Sequence, residues 1–193
     1  MKKVILFLVL LLTLCVVLGL AGCTTPPLTL TYTYAVGDTG PAGGWIFYDK
    51  GSYSDGWRYL EAAPSDQSTE IQWYNGSYVV TGATDTAIGT GQANTTAIVA
   101  IQGAGSYAAQ LCNDLIVGFH SDWFLPSKDE LAAMRTNLAS TVADRAKYGF
   151  AYSYYWSSSE IFAFYAWNQA FLDGGQYYGS KGDTGLVRAV RAF

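Results

Sequence analysis

The chain has 193 residues, with 11 basic and 15 acidic side chains and one histidine. That length suits one domain with a buried core, and the net charge of −4 excludes the basic footprint of a nucleic-acid binder. Aromatic residues make up 16% of the chain and glycines number 21, which reads as large apolar side chains joined by tight turns.

Met1-Lys2-Lys3 opens an apolar run from Val4 to Leu20, which ends in the small residues Ala21 and Gly22 before Cys23. Charge, apolar core and small residues in that order make a secretory signal over residues 1–22, whereas a membrane span takes about 20 apolar residues. Leu20-Ala21-Gly22-Cys23 resembles the lipobox of bacterial lipoproteins. The resemblance implies cleavage before Cys23, a thioether-linked diacylglycerol on its sulfur, and fatty acylation, as by palmitate, of the new amino terminus. The alternative is an ordinary signal peptide with a chance cysteine. Without residues 1–22, nine basic side chains face fifteen acidic ones, a net charge near −6. Bulk attraction to polyanions is then excluded as well. Only Cys112 would remain as a thiol, so no internal disulfide forms and an exported domain must be held by its core.

Residues 23–36 are short, uncharged and rich in threonine and proline, as a lipidated tether would be. The domain proper spans residues 37–193. Glycine-rich turn chemistry over Gly37–Gly44 leads into a strand at Trp45–Tyr48, a turn over Asp49–Gly56 and a second strand at Trp57–Ala63, a hairpin. Asn94 is placed to cap one helix, and Gly105-Ser106 to start another. Pro126-Ser127-Lys128-Asp129-Glu130-Leu131 is the clearest local signal. Ser127 and Glu130 form a capping box, and Leu131, Met134 and Leu138 share one helix face. Strands follow at Tyr154–Ser158, Ala166–Phe171, Gln176–Ser180 and Leu186–Phe193, separated by Gly/Asp turns. Strands, helices and strands again in one domain read as α+β.

Several of these segments together resemble the Lcl C-terminal domain family. The matching residues are Gly43–Gly51, Trp57–Pro64, Ile88–Gly91, Asp122–Leu131, Tyr155–Glu160 and the closing Val187-Arg188-Ala189-Val190-Arg191. The family resembles a branch of the C-type-lectin-like fold on the formylglycine-generating-enzyme side. That likeness implies a single domain of small twisted antiparallel sheets flanked by two main helices. It also implies a terminal strand paired with the opening hairpin.

Catalysis has little support in the residues. The formylglycine-generating enzymes bind copper through paired cysteines, and Cys112 stands alone beside Leu111, in the manner of a small buried hydrophobe. His120 lies near Asp122, but no serine sits in a nucleophile elbow. Trp167-Asn168-Gln169 lacks the acid of a calcium-lectin strand, and Asp173 and Asp183 read as turn residues. Ser157-Ser158-Ser159 places hydroxyls against buried backbone, and Arg188 and Arg191 pair with acids such as Glu160 or Glu61. No cofactor or metal is expected.

Residues 161–183 are different. They hold Phe162, Phe164, Tyr165, Trp167, Phe171, Tyr177 and Tyr178 among short turns. Strand alternation buries about half of such a set on one face, and exposed aromatics are favoured recognition residues. The expected contacts are Phe162, Phe164, Tyr165, Tyr177 and Tyr178, with Asn168, Gln176, Lys181 and Asp183 adding polar specificity. The alternative is that the rings form a second core layer. Members of this fold and family include targets of diversity-generating retroelements, which makes 161–183 a place for a variable binding surface. The expected role is a non-catalytic ligand-binding or adhesion protein, lipid-anchored in the bacterial envelope, with a protein or glycan ligand. A structural envelope lipoprotein without a ligand is the competing reading.

Overall fold

Trp45, Phe47 and the apolar face of the opening strand cannot be buried by one hairpin, and the rest of the chain folds so as to cover it. The computed structural model describes residues 32–193, of which Tyr34–Phe193 form one compact unit. The signal segment and Cys23 lie outside the described residues. The described fold is α+β, as expected, with two sheets and four helices.

The first sheet has strands β1 (Trp45–Ser54), β2 (Trp57–Ala62) and β8 (Val190–Ala192), all antiparallel, in the order β1-β2-β8. The expected turn over 49–56 is shorter than the sequence suggested, because Asp49–Ser54 continue β1. Only Asp55 and Gly56 reverse the chain, at φ of 53° and 85°. Two positive φ values in succession match the twist of the flanking strands, and Asp-Gly accepts them most readily. Leu60 faces Ala192 across the β2–β8 ladder, so the end of the chain closes on the opening hairpin. Gly44 permits a close approach there, since a Cβ would stand 2.0 Å from the Ala62 carbonyl oxygen.

The second sheet has β3 (Ser68–Gln72), β4 (Tyr154–Phe162), β5 (Tyr165–Ala170), β6 (Gln176–Ser180) and β7 (Thr184–Val187), in the order β3-β7-β4-β5-β6. The β4–β7 pair is parallel and the others are antiparallel. The stretch read as one strand from Leu186 to Phe193 is two strands in different sheets. Between them Arg188 turns inward, where its Nη1 donates to Ala63 O at 3.0 Å and its Nε meets Asp66 Oδ1 at 2.6 Å.

Four helices fill the space beside and between the sheets: α1 (Gly91–Gln102), α2 (Ala108–Asn113), α3 (Lys128–Leu138) and α4 (Val142–Tyr148). The capping box opens α3 as expected. Asn94 does not cap α1, which already starts at Gly91. Its amide donates instead to Asp85 O at 2.6 Å and Ser158 Oγ at 3.3 Å, tying α1 to β4. Glu130 is buried and accepts from Ser127 N at 2.7 Å and Gly89 N at 2.8 Å, joining the starts of α1 and α3. Desolvation raises its pKa despite those bonds.

Two apolar clusters make the core. One packs α3 between Phe47, Leu60, Phe124, Tyr155 and Phe171. The other gathers Trp73, Trp123 and Trp156 with Ile98 and Cys112. Trp123 and Trp156 are buried, whereas Trp45 and Trp57 are half-buried at the margin of the first cluster. Trp73, which carried no distinguishing sequence signal, is fully buried, and its Nε1 donates to Ser157 O at 2.8 Å.

Candidate functional site

Cross-strand register decides which aromatic side chains of residues 154–183 meet. Trp156 faces Asn168, and Asn168 faces Tyr177, so these three leave one face of the second sheet. Tyr154 stands beside Tyr177, ring centroids 6.1 Å apart and planes 73° from parallel. Together with Tyr178, Asp183 and Thr184 they surround a groove of about 340 Å³, at the small end of the ~300–1,000 Å³ of small-ligand sites. Its aromatic walls are open to solvent, with Tyr154 43%, Tyr177 46% and Tyr178 61% exposed.

The floor is shaped by glycine. A Cβ at Gly185 would stand 2.8 Å from Trp156 Nε1, and one at Gly179 would stand 3.1 Å from Trp156 Cη2. Two glycines therefore let the indole lie under the groove, where Nε1 donates to Ile71 O at 3.0 Å. Tyr177 is fixed from below, its hydroxyl donating to Asp173 Oδ2 at 3.0 Å. Asp173 also accepts from Gly175 N at 2.8 Å; that bond and the Tyr177 hydroxyl hold its carboxyl below the ordinary range. Asn168 lines the groove, while its Oδ1 is buried, closed to solvent, and without a hydrogen-bond partner among the described residues.

The expected contacts divide three ways. Asn168, Tyr177, Tyr178 and Asp183 line the groove. Phe162, Phe164 and Tyr165 do not line it but form an exposed ridge that adjoins it, with Phe162 on Tyr165 at 5.4 Å, Tyr165 on Tyr178 at 5.6 Å and Phe164 on Tyr78 at 5.1 Å. Gln176 and Lys181 are engaged elsewhere. Gln176 Nε2 donates to Lys128 O at 3.1 Å, at the start of α3. Lys181 is fully buried, so its place among surface contacts is corrected: its ammonium meets Glu160 Oε2 at 2.6 Å and Val79 O at 3.1 Å. Burial lowers its pKa, and the Glu160 carboxylate works against that shift. Tyr154, Trp156 and Thr184 complete the groove and were not singled out from the sequence. Their signal was the alternation of β4, which places Tyr154 and Trp156 on one side.

The remaining polar residues serve the fold. Ser157 Oγ donates to Trp167 O at 2.8 Å and Ser159 Oγ to Asp85 O at 2.7 Å, as the motif suggested. Arg191 binds Glu61 at 3.2 Å and Asp122 at 2.9 Å, while Arg188 takes Asp66. Cys112 is buried in α2, where desolvation pushes its thiol pKa far up, the opposite of a reactive cysteine. A wider depression of about 740 Å³ lies beside α4. Its hydroxyls at Ser140 and Thr141 are already bonded to Asp144, and Arg145 Nη1 donates to Ala139 O. Among the described residues, no group of three or more His, Cys, Asp or Glu side chains is placed to hold a metal ion. Nor is any helix among them long and apolar enough to cross a membrane.

No curated protein matches the sequence. The model of the Lcl C-terminal domain matches residues 63–191, from the residue after β2 into β8. That span is well over half of the chain and contains α1–α4, β3–β7 and every residue lining the groove, so the protein belongs to the Lcl C-terminal domain family.

Proposed function

We propose that this is a non-catalytic recognition protein, anchored in the bacterial envelope by lipid on Cys23, which binds its ligand in the groove between Tyr154, Tyr177 and Asp183. The observation that carries the reading is a groove of about 340 Å³ walled by the partly exposed rings of Tyr154 and Tyr177. Family membership is consistent with a binding domain at a surface. The lipobox residues support the anchor and the envelope location. The buried, high-pKa Cys112 and the bonding of the Ser157 and Ser159 hydroxyls to backbone carbonyls support the absence of catalysis.

The test uses the full chain in detergent micelles on arrays of glycans and surface proteins. Truncating an aromatic anchor typically removes about 2 kcal/mol or more of binding. Tyr177→Ala is therefore expected to weaken a ligand found on the arrays by about thirtyfold, with little change in melting temperature, because the ring is half exposed. Undiminished binding by Tyr177→Ala together with loss in Phe164→Ala would move the site to the outer ridge. An absence of any binder on either array would favour a purely structural lipoprotein.

A further inference from the structure

We propose that the depression beside α4 is a second binding site, separate from the groove, for a singly charged organic carboxylate that docks on the Arg135 guanidinium. The site stands whether or not the groove binds a ligand. Three observations carry it.

The first is an excess of cation. Of the nine lysines and arginines among the described residues, Lys50, Arg58, Lys181, Arg188 and Arg191 form ion pairs with carboxylates. Lys128 lies over the Trp167 ring, and Lys147 donates to the Tyr148 hydroxyl. Arg135 and Arg145 are left, and both line the same depression of about 740 Å³. The chain has more acids than bases, so two arginines in one hollow without an ion-paired carboxylate run against its overall charge.

The second is the way Arg135 is held. It stands in the last turn of α3, where a cation suits the helix dipole, and its fork is also laid against the turn between β5 and β6. A Cβ at Gly174 would meet Cζ at 2.7 Å, Nη2 at 2.9 Å and Nη1 at 3.0 Å, so the guanidinium lies flat on that glycine. Of its three nitrogens only Nε is closed to solvent. Nη1 and Nη2 stay open, and none of the three bonds to a described residue. The pair of donors that an end-on carboxylate takes is therefore fixed, accessible and free. Arg145 is partly engaged, its Nη1 donating to Ala139 O at 3.4 Å and its Cζ lying 4.9 Å from the centre of the Tyr152 ring. Its charge adds to the attraction.

The third selects the ligand. Much of the remaining lining is apolar: Val142 and Tyr152 are exposed, with Phe150 and Leu172 beside them. An inorganic anion would leave that surface in water, whereas a carboxylate on an apolar body would cover it. Two carboxylates limit the charge that the site accepts. The lining hydroxyls of Ser140 and Thr141 donate to Asp144. Asp173 lies near enough for the Arg135 charge to add to the Gly175 hydrogen bond that holds its carboxyl low. A polyanion would be brought against both acids. A single carboxylate on Nη1 and Nη2 leaves its apolar body free to lie toward Val142 and Tyr152.

The experiment is isothermal titration of the full chain in non-ionic detergent micelles, against a blank of micelles alone. The probes are hydrocinnamate, its uncharged amide, inorganic phosphate and heparin. Hydrocinnamate is expected to bind, and more weakly as salt rises. The amide and phosphate should bind about tenfold less tightly or worse. Arg135→Gln removes a charge-assisted bidentate contact and should lower the hydrocinnamate association constant by about tenfold or more. Its melting temperature should change little, because the Arg135 side chain bonds to nothing described. Arg135→Lys keeps the charge without the fork and should fall between the two. Arg145→Gln should weaken binding by about threefold, and it tests the site independently should the Arg135 variants misfold. Tyr177→Ala, in the groove, should stay within about twofold of the parent chain, which separates the two sites. Failure of hydrocinnamate to bind, or equal binding of its amide, overturns the inference. Hydrocinnamate binding indifferent to both Arg135→Gln and Arg145→Gln overturns it too. Phosphate or heparin bound more tightly than hydrocinnamate, and lost in Arg135→Gln, would overturn the ligand class and show that the arginines take a different anion.

Discussion

Asp173 is the residue on which the geometry of the groove turns. It sits in the turn between β5 and β6 and accepts two hydrogen bonds, from Gly175 N and from the Tyr177 hydroxyl. These bonds favour the ionised form, so the native carboxyl titrates below its ordinary 3.8. A carboxyl with a depressed native pKa stabilises the fold fully above its unfolded value, and that contribution is lost as pH falls through the native pKa. The Tyr177 ring should therefore lose its tether only in acid. Followed by NMR, its ring resonances are expected to shift with a midpoint below 3.8. Tyr177→Phe removes one of the two bonds and should move the Asp173 midpoint upward, toward but not to the unperturbed value, because Gly175 N still donates. A midpoint at or above 3.8 in the parent chain would show that the Asp173–Tyr177 bond does not persist in solution.

At the scale of elements, the second sheet is tied to the segment before α1 by one buried ion pair. Glu160, near the end of β4, accepts from Thr81 N at 2.8 Å and Gly82 N at 2.6 Å. Lys181, just past β6, meets the same carboxylate and lies 4.3 Å from the centre of the Trp73 ring. Removing one partner of such a pair strands the other charge, at a cost of about 3–5 kcal/mol, whereas replacing both is often near neutral. Lys181→Met should thus lower unfolding free energy in urea by that amount, and Glu160→Gln with Lys181→Met should recover most of it. A single-variant loss below ~1 kcal/mol would mean that water reaches the pair. The same pair shows where sequence reading stopped. The capping box of α3, β6 and the β1–β2 hairpin were legible because each is coded within about twenty residues. Lys181 was not, because a lysine before Gly182-Asp183 reads as a solvated turn residue. The segment that buries it lies about a hundred positions upstream and is held through Glu160 and through the Lys181 bond to Val79 O. Strand β3, Ser-Thr-Glu-Ile-Gln, is a mostly polar edge without apolar alternation. Its place depends on pairing with β7, a partner that no local pattern names. The groove followed the same rule. Its aromatics were visible as a surplus over what one face can bury, but their division between groove and ridge was set by the β4–β5–β6 register.

For the whole molecule, the proposed lipid anchor and the proposed binding domain occupy separate parts of the sequence. Ten residues, 24–33, lie between the lipobox cysteine and the compact unit that starts at Tyr34. Fully extended, that stretch reaches at most about 40 Å. A single acyl chain holds a protein only marginally, while two or more hold it stably. In the proposed anchor, a diacylglycerol together with an acylated amino terminus supplies the chains that stable attachment needs. Cys23→Ser removes the thioether site and with it the signal for lipoprotein processing. The variant is expected to leave the detergent phase in a Triton X-114 partition, or to persist as an unprocessed precursor about 22 residues longer than the mature chain. Mass spectrometry of the parent chain should find the first peptide starting at Cys23 and heavier by its acyl groups. Unchanged detergent partition of the variant, with an unmodified Cys23 in the parent, would show that the protein is held by something other than lipid. The groove would then have to be considered without a membrane beneath it.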